Sequence, residues 1–382
     1  MIPLAVPNLT GNEARYLKEC IESTFVSSVG PFVTRFEELI AASTNTSHVV
    51  CTPSGTTGLH LALVSLGVKQ NDLVILPSFT FIASANAISY CHATPWLADI
   101  SNDSWSLDPE LFRKMLEENT LNKDGSCFYK PTGQRVAAVM PVHVLGQPAD
   151  MFPLVEIARE FNLAVVADGA AALGATYHNQ KLGTCGADLL VLSFNGNKTI
   201  TAGGGGAICG NDADVMSHLR HLATTARIGD AYDHDEIGYN YRMTNIEAAV
   251  GCAQIERLEE FVNKKREIRQ YYESRLLDLP GISSRPVIPG FESADWFSVL
   301  VIDPAVLGDP SVIRRQLRTM GVDSRPFWKP IHLQKPYLNA PRTGMDVSEN
   351  LWDRIITLPC STNITQNEQD TVIASFIKAV EQ

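Results

Sequence analysis

An α/β fold, with helices on both faces of a mostly parallel sheet and a smaller α+β unit behind it, is what this 382-residue sequence predicts. Three features carry the prediction. Seven short apolar runs, at 48–51, 73–76, 94–98, 137–142, 163–167, 189–193 and 207–209, lack the polar alternation of a half-exposed strand. Strands buried on both faces of a parallel sheet read this way. Helix-patterned stretches separate several of the runs, as crossovers between parallel strands require. After about residue 250 the texture changes to charge-rich helix, proline-marked loop and mixed elements, which sets the expected units at 1–255 and 256–382.

The helices follow in chain order. Between the first two runs, Leu59, Ala62, Leu63 and Leu66 stand at helical spacing. A helix is expected over 151–160, behind an Asp150 whose carboxylate can cap it. The stretch 255–277 carries Glu256, Glu259, Glu260, Lys264, Lys265 and Arg266 and reads as one long connecting helix. Pro280, Pro286 and Pro289 mark the loops that follow, and a helix over 366–380 ends the chain. No internal repeat or low-complexity tract stands out.

Charge and composition exclude several function classes. The net charge is −11 with no long basic run, so the clustered cations of a nucleic-acid footprint are missing. No stretch of about 18 apolar residues suggests a membrane span. The opening Met1-Ile2-Pro3-Leu4 lacks the basic region and apolar core of a signal peptide. Eight scattered cysteines, with no C-x-x-C pair, read as small buried hydrophobes, not as disulfides or a zinc site. A cytoplasmic protein is expected, without nucleic-acid, membrane or metal partners. An acidic chain can still bind an anion, using helix N-termini and a few placed arginines.

Four segments carry chemistry. Pro53-Ser54-Gly55-Thr56-Thr57-Gly58 joins a strand to an amphipathic helix. It offers backbone N–H groups to a phosphate, or else simply caps the helix. It is not a P-loop, because no Gly-Lys-Ser/Thr follows. The run at 163–167 leads into Asp168, at the strand end where ligands bind in open α/β sheets. That carboxylate suits a protonated ring nitrogen, and equally a helix N-cap. The run at 189–193 continues through Phe194-Asn195-Gly196-Asn197 to Lys198. Burial there would lower the amine's pKa, as a Schiff-base lysine needs, although a lone lysine is more often a surface residue. The glycines 203–206 fit no G-x-G-x-x-G spacing and suit a close approach of backbone to cofactor. Gly238-Tyr239-Asn240-Tyr241-Arg242-Met243 precedes an Ala-rich helix. Its aromatic, amide and guanidinium groups suit an interface or an anion site, or a loop packed on the core. His218, His221 and Asp233-His234-Asp235-Glu236 read as solvated surface and not as metal ligands.

The order of these motifs resembles the DegT-type sugar-nucleotide aminotransferases, a branch of the fold-type I enzymes that use pyridoxal 5′-phosphate (PLP). The resemblance extends to Pro77-Ser78-Phe79-Thr80-Phe81-Ile82-Ala83, to Val142-His143-Val144-Leu145-Gly146-Gln147-Pro148-Ala149-Asp150-Met151, to Arg325-Pro326-Phe327-Trp328-Lys329-Pro330-Ile331-His332 and to Leu358-Pro359-Cys360-Ser361. It covers essentially the whole chain. It implies that Lys198 carries PLP as a Schiff base, that Asp168 keeps the pyridine nitrogen protonated and that Phe81 stacks on the ring. Gly55, Thr56 and Ser193 would hold the phosphate, Asn195 would lie beside the cofactor, and Asn240 would reach in from a neighbouring subunit. Arg242 would reach the same shared site, so a homodimer is implied. Trp328 and His332 are the candidates for the nucleotide-sugar side. Relatives that dehydrate the sugar at C3 carry histidine where this chain has Lys198, which implies transamination here. Relatives often place a polar or acidic residue three positions after the aspartate. This chain has Ala171 there, so weaker support of the cofactor is expected from that position.

The N-terminal stretches at 2–13 and 26–30, together with 193–198 and 236–242, are similar to one subgroup, which aminates UDP-2-acetamido-2,6-dideoxy-4-keto-glucose at C4 on routes to bacillosamine and legionaminic acid. The usual amino donor there is L-glutamate. The expected product is UDP-4-amino-4,6-dideoxy-N-acetylglucosamine. The alternatives are a GDP-perosamine-type or dTDP-keto-sugar aminotransferase and, in another class, a PLP-fold protein that binds or regulates without turnover. Intact Lys198 and Asp168 argue against the last. The missing Gly-rich fingerprint argues against a nicotinamide oxidoreductase.

Overall fold

All seven apolar runs become strands of one sheet in the computed structural model, which describes residues 1–381. They are β1 His48–Thr52, β2 Leu73–Pro77, β3 Thr94–Ala98, β4 Arg135–Val139, β5 Ala164–Asp168, β6 Leu189–Ser193 and β7 Gly206–Gly210. Their order across the sheet is β1-β7-β6-β5-β4-β2-β3. Strands β3, β2, β4, β5 and β6 are mutually parallel, and β7 is antiparallel to both its neighbours. A hairpin of Thr120–Lys123 and Ser126–Tyr129 joins the sheet at β4.

The unbroken apolar runs follow from burial on both faces. Leu73, Ile75, Leu190 and Leu192 enter one apolar layer, and Val74, Leu76, Leu189 and Val191 enter the other. Each is withdrawn from water, and each such side chain contributes roughly 1.5–3 kcal/mol. Helix Gly55–Ser65 packs on one face, against β6 and β7. A Cβ at Gly58 would stand 2.9 Å from Val191 Cγ1, so this glycine sets how closely the helix approaches β6. Helices Glu13–Ser23, Pro31–Thr44 and Asn245–Ile255 cluster together, and their buried residues belong to the other layer.

The expected long helix over 255–277 forms as Leu258–Leu276, and the Ala-rich helix expected before it is Asn245–Ile255, with a break between the two at Glu256–Arg257. The break has partners on both sides. Glu256 accepts from Tyr16 Oη at 2.7 Å and from Arg35 at 2.7 Å, while Arg257 donates to Thr10 and Glu260. The second helix is not simply a solvated connector, because Lys265 is 3% exposed and donates to the carbonyls of Trp296 and Cys360. Asp150 does stand at the N-cap of Met151–Glu160, but its carboxylate accepts from Tyr177 Oη at 2.6 Å and caps nothing.

The C-terminal part builds a three-stranded sheet from Ile282–Ser283, Ser298–Ile302 and Ile355–Leu358, with helices Pro310–Thr319 and Gln366–Val380. Residues 2–6 lie against it. The Ile2 N–H donates to the Gly321 carbonyl, and the Cys360 N–H donates to the Leu4 carbonyl. Arg269 and Arg285 both pair with Asp295, which is 1% exposed. Removing one partner of a buried pair costs about 3–5 kcal/mol, so this cluster firmly anchors the backbone beside Trp296. Among the described residues no helix is long and apolar enough to cross a membrane.

Candidate active site

The carboxyl ends of the parallel strands meet at a cavity of about 540 Å³. Four of these strands bring groups to it directly, and so does β1. Ser54, Gly55 and Thr56 follow β1, Phe81 and Ser84 follow β2, and His143 follows β4. Asp168 closes β5, and Ser193, Asn195 and Lys198 lie at and beyond the end of β6. Residues up to 144 apart in sequence therefore share one opening, as open α/β sheets allow at this edge.

Lys198 sits on a tight turn, its N–H bonded to the Asn195 carbonyl at 2.9 Å. Its Nζ lies 3.8 Å from the centroid of the Trp296 ring, and that indole donates to the Asn197 carbonyl at 2.7 Å. Burial pulls the amine's pKa down to about 8, although the negative Asp168 works in the opposite direction. For Asp168, burial pushes the carboxyl pKa up. Hydrogen bonds from Ser84 Oγ at 2.7 Å and the Ala170 N–H at 3.0 Å, together with the Lys198 charge, hold it down. Thr80 Oγ1 lies 3.0 Å from Ser84 Oγ, which fixes the hydroxyl that orients the carboxylate.

The lowered lysine pKa has a measurable consequence. An amine with a pKa near 8 is roughly a tenth neutral at pH 7, against a few in ten thousand for an ordinary lysine. The rate at which added PLP forms its imine with the cofactor-free protein is expected to rise with pH through a midpoint near 8. Stopped-flow absorbance across pH 6–11 measures it, and a midpoint above 10 would show that burial does not govern this amine.

The loop after β1 is built to receive an anion. Ser54 Oγ accepts from the Thr57 N–H and Thr57 Oγ1 accepts from the Ser54 N–H, a reciprocal cap that starts helix Gly55–Ser65. The Thr56 N–H has no acceptor among the described residues. A Cβ at Gly55 would meet Ser193 Cβ at 3.0 Å, so glycine brings the helix start against the end of β6. The four glycines divide their work between the cavity wall and the backbone behind it. Gly203 and Gly205 adopt φ of 85° and 95°, and a Cβ at Gly206 would stand 2.6 Å from the Gly55 nitrogen. The run supports the Ser54–Gly55 backbone from behind, with Gly204 and Gly205 at the cavity wall. An open N–H at a helix start, an oriented carboxylate and a half-buried lysine of low pKa together fit PLP: phosphate, ring nitrogen and aldehyde carbon each have a complement.

Three of the expected site residues lie elsewhere. His332 is 2% exposed and outside the cavity, with Nδ1 2.7 Å from Ser78 Oγ and Nε2 2.9 Å from Glu349. Both ring nitrogens are committed, so it braces the Ser78–Phe81 loop and has none free for a sugar. Asn240 is exposed, Arg242 is half-buried, and neither lines the cavity of its own chain. The neighbouring tyrosines take the simpler course: Tyr239 and Tyr241 stack at 5.0 Å and pack edge-on against His60. Phe81 and Trp328 do reach the cavity, with their rings 6.0 Å apart. Ser84, His143, Trp296 and Arg325 line it as well, and the sequence reading had not singled them out. His221 meets Asp235 at 2.6 Å and His218 meets Glu236 at 2.9 Å, as exposed pairs on the surface.

The family model described as the DegT/DnrJ/EryC1/StrS aminotransferase family matches residues 7–377. The GDP-perosamine synthase of Caulobacter vibrioides is 36% identical over 98% of this chain and 97% of its own. That of Escherichia coli O157:H7 is 35% identical over 98% and 97%. EpsN of Bacillus subtilis (strain 168), described as a pyridoxal phosphate-dependent aminotransferase with no sugar specified, is 37% identical over 97% and 94%. Among solved structures, the aminotransferase TlmJ from Streptoalloteichus hindustanus superposes with a TM-score of 0.89 at 26% identity, covering 100% of this chain and 99% of that one.

Proposed function

The chain belongs to the DegT/DnrJ/EryC1/StrS aminotransferase family, and from that premise we propose that it aminates C4 of a GDP-linked 4-keto-6-deoxy sugar, with L-glutamate as amino donor. That it is a PLP-dependent sugar-nucleotide aminotransferase follows from the family and its relatives. The GDP assignment rests on one observation: relatives named GDP-perosamine synthase match at 35–36% identity along nearly the whole chain. The UDP-linked N-acetyl sugar expected from the N-terminal stretches has no such support and gives way to the GDP reading.

PLP supplies an electron sink through its protonated ring nitrogen. In our reading the protein's own groups do the rest. Asp168, oriented by Ser84 and the Ala170 N–H, keeps that nitrogen protonated. The Thr56 N–H and Ser193 hold the phosphate, with Gly55 making the space for it. Lys198 Nζ, with its lowered pKa, is neutral often enough to take a proton from the substrate carbon and return it. Phe81, Trp296 and Trp328 wall the cavity and limit water around the reacting carbon.

The site is shared between two copies of the chain in this proposal, with Asn240 and Arg242 serving the partner's cavity. Their absence from the cavity of their own chain supports it, as do the exposed Ile228, Tyr232 and Ile237 just before them.

The substrate is tested by a single turnover. Protein converted by glutamate to its amino-carrying form is offered GDP-, UDP- and dTDP-linked 4-keto-6-deoxy sugars in parallel, and recovery of the resting absorbance is followed. Fast recovery with the GDP sugar is expected. Recovery with the UDP-N-acetyl sugar alone would reinstate the earlier expectation. Failure with all three would favour a PLP-fold protein that binds without turnover.

A further inference from the structure

We propose that His143 is a positioning residue for the cofactor, donating its Nε2–H to the phenolic oxygen at C3 of the pyridine ring. The inference rests on the cofactor placement argued above, and it begins with the backbone. The His143 N–H donates to the Asp168 carbonyl at 3.0 Å, so the imidazole stands one strand over from the carboxylate, at the end of β4. The side chain is 2% exposed and lines the cavity.

Its tautomer is set by the fold. Nδ1 accepts from the Ala149 N–H at 2.9 Å, so Nδ1 carries no proton and Nε2 carries the one that remains. Burial keeps the ring neutral, pulling its pKa down to about 4. Nε2–H is therefore a fixed donor throughout the working range of pH. It has no protein acceptor among the described residues, yet it is not sealed in the interior as an orphan, and it opens to the cavity. Open to the cavity and without a protein acceptor, this N–H is placed to donate to a ligand held there.

Sheet order says which acceptor. The phosphate loop follows β1 and meets the end of β6, on one side of β5, and His143 follows β4 on the other. In PLP the phosphate arm at C5 and the oxygen at C3 lie on opposite sides of the line from the ring nitrogen to C4. With the nitrogen at Asp168 and the phosphate toward β6, the C3 edge faces β4. The methyl group at C2 accepts nothing, which leaves the oxygen. On that side Val142 and Ala171 are apolar, and His143 supplies the polar group. The charged groups lining the same cavity are Asp168, Lys198 and Arg325.

A donor on this oxygen stabilises it as the phenolate and weakens its hold on the proton of the imine that joins Lys198 to the cofactor. The test reads that proton in the resting holoenzyme, without substrate, from the pH dependence of the imine absorbance. His143→Asn keeps an acceptor for the Ala149 N–H but has no atom at the Nε2 position, whereas His143→Gln reaches that position with an amide N–H. The Asn variant is expected to titrate about one pH unit higher, tenfold in proton affinity, and the Gln variant to return toward the parent value. An Asn variant that titrates like the parent would overturn the role, and so would a shift that Gln fails to reverse. A parent protein that forms no imine band with PLP would bring down the cofactor placement and this inference together.

Discussion

Lys198→Ala is expected to abolish both the imine absorbance and turnover with every donor and sugar. The expectation follows from the position as much as from the amine. Lys198 is reached by a turn straight off β6, is surrounded by protein and faces an oriented carboxylate. Asn197 gives its carbonyl to the Trp296 indole and its side-chain oxygen to Asn195, and the lysine that is most withdrawn from water, Lys265, is engaged by two carbonyls of the C-terminal part. Losing the covalent attachment and the proton carrier together removes a group whose combined effect is on the order of 10⁴-fold or more. Spectral titration with PLP and a coupled assay measure the two losses. Retained turnover would sink the assignment.

The same variant tests the shared site. If Asn240 serves the partner's cavity, an Asn240→Glu chain should also fail, because a carboxylate would face the bound phosphate. Two differently tagged chains, one Lys198→Ala and one Asn240→Glu, would then form hybrids in which one site has both native groups. Random pairing predicts about a quarter of the parent's active sites. No recovery in purified hybrids of two inactive parents would mean that Asn240 serves its own chain's site, and an Asn240→Glu chain active by itself would place Asn240 outside the site.

How much of this was legible in the sequence depends on what each residue answers to. The seven strands were readable because burial on both faces removes polar residues from the run itself. Helices Glu13–Ser23 and Pro31–Thr44 were missed, although Phe32, Phe36 and Ile40 repeat at four-residue spacing. Their apolar stripes are narrow because they pack mainly on another helix, Asn245–Ile255. Asp168 and Lys198 were readable because one ends a buried strand and the other lies in the loop that follows a second, and together with the other motifs their order matches one family. His143 also lies just beyond a strand, but its importance comes from the Ala149 N–H that fixes its tautomer, which no pattern displays. Trp296 comes from a different part of the chain, 98 residues beyond Lys198, and the cluster of Arg269, Arg285 and Asp295 secures the backbone beside it. His332 was misread for the converse reason. A histidine in a motif looks available until Ser78 and Glu349 are seen to occupy both its nitrogens.

Asp168→Asn separates the two catalytic roles that Lys198→Ala destroys together. Asparagine has the same shape, and its amide oxygen can still accept from the Ala170 N–H, so the fold is expected to hold. The charge is gone, however, and with it the reason for the ring nitrogen to stay protonated. Losing a buried, charge-assisted contact to the electron sink should slow turnover by roughly 10²–10⁴-fold. Lys198 should respond in the opposite sense. The Asp168 charge raises its pKa, against the larger effect of burial. Without that charge the amine pKa falls further and more of it is neutral at pH 7. Imine formation from added PLP should therefore be undiminished at neutral pH while steady-state turnover collapses. That pairing cannot arise from general damage to the site, which would slow both. A variant that turned over near the parent rate would show that some other group keeps the ring nitrogen charged.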